Sequence, residues 1–134
     1  MNTLDIIFAC FFATTVIVST PMAWRSNRTL QSETPEARPF MWGYYQGYSG
    51  IIAGALWIML SIYGAANGNV NASDALMISG FGGACIALGW YTIKRNAYAL
   101  VALTIISCNV VHYVINAIYI KNRWKELTQK GNEK

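Results

Sequence analysis

The stretch AYALVALTIISCNVVHYVINAIYI, residues 97–120, contains no Asp, Glu, Lys or Arg. Wound as one helix it would be ~36 Å long, enough to cross a hydrocarbon layer of ~30 Å. Its reading sets the number of spans and the side on which the C-terminal charges lie. It also carries Asn109, Asn116 and, at His112, the only histidine of the chain. Length and composition predict a transmembrane helix with a polar face.

Three further uncharged runs precede it, at 6–24, 42–64 and 75–93. Each is close to the ~20 residues that a helix needs to satisfy its backbone across a bilayer. Of the 134 residues 54% are apolar and 12% charged, about half the charged share of a soluble domain. A soluble bundle would show a polar face on each helix, and these segments show none. The expectation is an all-α integral membrane protein of one domain. It would be a four-transmembrane-helix bundle with short loops, a polar link at 25–41 and a basic C-terminal tail at 121–134.

The first run ends in STPMA (19–23), like a cleavable leader, but MNTLD has no Lys or Arg where a signal peptide needs a positive start. It reads as a retained helix. Trp24, Trp42, Tyr44, Tyr45, Trp90, Tyr91, Tyr98, Tyr119 and Trp124 lie near expected span ends, where amphipathic rings favour the headgroup level. Trp57 is mid-span, which predicts packing against protein. Asn71 or Ser73 can cap the third helix, and KRN at 94–96 is a tight turn.

Four spans would put Arg25, Arg28, Arg38, Lys94 and Arg95 on one side and Lys121, Arg123, Lys125, Lys130 and Lys134 on the other. The positive-inside rule then returns a tie. The weight often carried by the first helix tips it towards both termini outside, in a bacterial inner (plasma) membrane.

Two patterns single out residues. Gly43, Gly47, Gly50, Gly54, Ser61 and Gly64 fall within an arc of roughly 100° on the second helix. Ser79, Gly80, Gly83 and Ala87 share a face of the third. Small residues let membrane helices approach closely, so both stripes predict helix contacts, within the monomer or with another chain. On the fourth segment Cys108, Asn109, His112, Asn116 and Tyr119 form one polar stripe about His112. Interhelical hydrogen bonding, a hydrophilic path and a metal or haem ligand are the competing readings. One histidine cannot close a metal site, and no metal or other cofactor is expected.

No span holds an interior carboxylate, which argues against a proton-driven exporter. Cys10, Cys85 and Cys108 are spaced for no metal site, and no Ser–His–Asp set can be assembled. The net charge of +4 sits at membrane edges, suiting the lipid bilayer rather than nucleic acid. In size and expected topology the chain is similar to small dual-topology exporters, fluoride channels and immunity proteins against pore-forming toxins, a resemblance of architecture alone. The functional expectation is a non-catalytic membrane protein associating with itself or with another membrane protein, as accessory subunit or immunity-type blocker. The alternative is a small oligomeric channel or carrier lined by the fourth helix.

Overall fold

The computed structural model describes residues 3–107 and 109–129. They form helices α1 (Thr3–Glu33), α2 (Met41–Ala66), α3 (Ala72–Ile93), α4 (Ala97–Ile106) and α5 (Val110–Gln129), with no strand among the described residues. The first three helices are long and apolar enough to cross a membrane.

α1 continues past the expected boundary at Trp24 for a further nine residues, to Glu33. At ~47 Å it is longer than a bilayer core is thick, and its last turns carry Arg25 and Arg28. It carries Pro21 in its interior, which removes one backbone donor. Thr15, Ser19 and Thr20 turn their hydroxyls back onto carbonyls one turn earlier. The face towards α2 is built from small residues: Ser19 and Ala23 are fully buried, and Ser26 shares a 2.7 Å hydrogen bond with Tyr48. Asn27 then accepts from the backbone N–H of Phe40 at 2.7 Å, fixing where the link re-enters as α2.

α2 and α3 form the tightest pair. A Cβ placed on Gly89 would lie 2.5 Å from the carbonyl oxygen of Gly47, and one on Gly47 would lie 2.8 Å from that of Gly89. Gly54 and Gly82 meet in the same way, and the Ser61 and Ser79 hydroxyls lie 2.7 Å apart. The contact thus recurs every seven residues along α2, the spacing that keeps one seam facing a partner helix. Gly50 faces Cys85 and Leu103, and Gly43 lies under the ring of Phe40. Gly80 and Gly83 lie elsewhere than the sequence stripe implied. Both are exposed and would meet nothing within 4 Å; Gly82, Cys85 and Gly89 take the buried face instead. Trp57 packs between Phe11 of α1 and Phe81 of α3, at 5.4 and 6.5 Å between ring centroids.

The stretch 97–120 is not one helix. α4 stops at Ile106 and α5 begins at Val110. Asn109 causes the restart: its side chain accepts from the backbone N–H groups of Val111 and His112 at 2.9 and 3.3 Å, an N-cap that competes with helix continuation. Ser107 closes the preceding end by donating to Thr104 O at 2.7 Å, and the Tyr113 hydroxyl donates to Ile105 O at 2.9 Å. The chain then turns back. Asn116 meets Thr104, the Trp124 ring meets Tyr98 at 5.6 Å, and Glu126 meets Arg95.

The α4–α5 hairpin therefore returns residues 121–129 to the level of the α3–α4 turn instead of carrying them to the opposite end. The expected basic tail is helical to Gln129 and packs, with Arg123 and Leu127 buried. All eight Lys and Arg among the described residues consequently lie at one end of the molecule, with Asp5 and Asp74 at the other.

The glycine pairing generates a test. Gly82→Ala places a methyl group against backbone and should cost ~1–3 kcal/mol, the usual range for overpacking. Gly80→Ala, two residues away and open, should be neutral or slightly stabilising, since Ala gains up to ~1 kcal/mol over Gly in a helix. Equal melting temperatures for the two variants in detergent would refute the assignment of the interface.

Candidate functional site

Two polar clusters hold the hairpin, one inside it and one across its feet. The inner cluster begins with Trp42, whose indole N–H donates to Asn116 Oδ1. Asn116 Nδ2 donates to Thr104 Oγ1 at 2.8 Å, and Thr104 Oγ1 donates to Leu100 O at 2.7 Å. Asn116 is 0% exposed, and both ends of its amide are engaged. Nothing in this chain ionises, so it can position helices without titrating.

The stripe read from the sequence separates into distinct roles. Asn116 is the buried hub. Asn109 is an exposed cap at the hairpin tip. His112 is half-buried, edge-on to Trp42 at 6.2 Å between ring centroids. Its Nδ1 is buried with no hydrogen-bond partner among the described residues. Tyr119 belongs to the second cluster, accepting from Arg123 at 2.9 Å. Cys108 lies outside the described residues. No group of three or more metal-ligating side chains occurs among the described residues.

The second cluster was hidden within the supposed tail. Arg123, 6% exposed, uses all five guanidinium donors: on both oxygens of Glu126, on Tyr119 Oη, and on the backbone carbonyls of Arg38 and Pro39. Arg95 pairs with the same carboxylate from the α3–α4 turn. Both guanidinium groups lie over the Phe40 ring, 5.4 and 5.5 Å from its centroid. Phe40, Tyr44, Ala97, Leu100 and Leu127 form the adjoining apolar core with Ala23. A residue capable of stacking and of five directed bonds is needed at position 123; lysine could supply neither.

One legible signal pointed here. Glu126 is the only acid among Lys121–Gln129 and lies three residues after Arg123, on the same helix face. Arg95 carries a second, conformational signal visible only in the fold. Its φ is +64°, the left-handed region. Its N–H bonds Thr92 O and the next N–H bonds Tyr91 O, completing a helix-ending motif whose turning residue is most often glycine.

Burial pushes the Glu126 carboxyl up, but the hydrogen bonds and charge of Arg123, with the charges of Arg95 and Arg38, outweigh it and hold the group below its ordinary 4.5. A depressed carboxylate contributes stability that is complete above its unfolded value and is lost as pH falls through the folded one. The melting temperature should therefore drop on acidification below pH ~4.5. Glu126→Gln should cost ~2 kcal/mol near neutrality, as expected for hydrogen bonds to charged groups. It should also lack most of that acid-dependent drop; the same acid profile in both proteins would show that the pair is not stabilising.

Comparison with protein-family models, curated proteins and solved structures finds no match.

Proposed function

We propose that this chain is a non-catalytic membrane protein of three spans and one re-entrant hairpin, acting by association with another membrane protein as an accessory subunit or immunity-type blocker. The supporting observation is the hairpin tip. α4 has ten residues, so Ser107 and Asn109 lie ~15 Å from the basic end, about half the hydrocarbon depth. Both residues are exposed. Irregular backbone and polar side chains at that depth are tolerated against protein or water, not against lipid. The outer faces beside the tip are apolar: Val110, Val111, Val114 and Ile118 are more than half exposed, as lipid- or helix-facing residues are. A protein surface satisfies both halves of this description.

A polar conduction path draws less support. Asn116, a member of the stripe, is fully buried with its amide already bonded on both sides. The glycine seam, in turn, is spent on α2–α3 contact within the monomer, which leaves the hairpin as the docking element.

Orientation follows from the same turn-back. With every described Lys and Arg at one end, the positive-inside rule assigns that end to the cytoplasm of a plasma membrane such as the bacterial inner membrane. The N-terminus and the 67–71 loop are then outside. A topology reporter at Asn69 should read outside and one at the C-terminus inside. Agreement between the two would restore four full spans.

Association can be read in cells by photo-crosslinking. Benzoylphenylalanine at Val114 or Ile118 should give a discrete protein adduct, whereas the same group at Leu76, exposed on α3 near the opposite end, should not. Adducts equally absent from all three positions would remove the docking role.

A further inference from the structure

At the basic end, a cavity of about 570 Å³ lies between the α1–α2 link and the C-terminal half of α5. Arg38, Arg95, Lys121, Arg123 and Lys125 line it, against Glu36 and Glu126. The lining carries three more positive than negative charges. Those charges are not equivalent. Arg123 and Glu126 are committed to each other and to backbone, forming the floor. Arg38, Lys121 and Lys125 make no ion pair among the described residues and stand exposed at the walls.

Arg95 is the unusual member. Its side chain is 10% exposed, yet its Nε–H is buried without an acceptor among the described residues. A buried, charged donor left unpaired is costly, and an arginine in the left-handed region adds a backbone penalty that glycine would avoid. Neither cost is needed to end α3; glycine at position 95 would turn the chain as well. Glu126 takes only part of the donor set of this guanidinium. An oxygen-rich anion found at the headgroup level and small enough for the cavity would engage the rest of the guanidinium. Phosphate oxygens meet each condition, and arginine recognises them with directed bonds.

We propose that this cavity binds a phosphate oxyanion, with Arg95 as the directed donor and Arg38, Lys121 and Lys125 as surrounding charge. The phosphodiester of an anionic phospholipid and free inorganic phosphate share that chemistry. Basic pockets at the cytoplasmic edge of membrane helices are suited to the former.

The test uses the full chain in a neutral maltoside detergent. Its melting temperature is followed with added phosphatidylglycerol, with phosphatidylcholine, or with inorganic phosphate at ionic strength matched by chloride. Phosphatidylglycerol should raise it by about 5 °C more than phosphatidylcholine does. That gain should fall by at least half in Arg95→Lys, which keeps a charge beside Glu126 but lacks Nε–H. It should fall likewise in the Lys121→Gln/Lys125→Gln double variant, whose exposed side chains are not needed for folding. Arg25→Gln/Arg28→Gln removes as much charge from the same end, outside the cavity, and should retain the full gain. Stabilisation by inorganic phosphate with no advantage for phosphatidylglycerol would identify the free ion as the ligand of the same site. Equal losses in the two double variants would reduce the effect to diffuse surface charge and overturn the proposal, as would the absence of a shift with either anion.

Discussion

The carboxylate of Glu126 receives Arg95 from before α4 and Arg123 from within α5, and so ties the two feet of the hairpin together. Arg123 extends the tie to the carbonyls of Arg38 and Pro39, where the α1–α2 link turns into α2. Three chain segments distant in sequence are thereby held at one level. Charges held like this gain over water only where surrounding groups replace their hydration, and the Phe40 ring, Tyr119 and two backbone carbonyls do that here. Removing one member would leave the others buried and unpaired, so the knot behaves as a unit. The return of α5, the burial of Leu127 and the concentration of positive charge at one end all follow from it.

The membrane half of the molecule obeys a different constraint. Lipid offers helices no hydrophobic reason to associate, so contact has to come from close backbone approach and from polar groups without another partner. α2 and α3 use the first device, through Gly47 against Gly89 and Gly54 against Gly82. The hairpin uses the second, through Trp42, Asn116 and Thr104. α1, more loosely held, uses small residues and hydroxyls: Ser19, Ala23 and the Ser26–Tyr48 bond.

The helical, membrane-suited character of the chain was legible because hydrophobic runs report solvent, and the bilayer is an unusual one. The first three helices could be read from run length, and a cap of α3 at Asn71 or Ser73 from their place before the run; Asn71 is the one that caps. The end of the fourth run could not. A window that counts apolar residues is blind to a short interruption between Ile106 and Val110, and an angular stripe takes in Asn109 although its position before VVHYV is that of a cap. The glycines on α3 were ambiguous for a related reason: Gly80, Gly82 and Gly83 adjoin, and only their distance from Gly89 singles out the buried member. Arg95, Arg123 and Phe40 were illegible as a cluster, since each lies at an end of its own segment and only the fold brings them together.

The hairpin also bears on how the chain enters its membrane. With the basic end cytoplasmic, as proposed, a fourth full span would have to draw the peptide that follows it, with Lys121, Arg123 and Lys125, through the hydrocarbon layer during synthesis. Each such charge costs ~2.5–3.5 kcal/mol at the bilayer centre on insertion scales. A re-entrant loop, as proposed for α4–α5, would avoid that passage and keep the basic segment in the compartment in which it was made. The last element could then be laid against three helices already in place, its foot closed by the Glu126 knot.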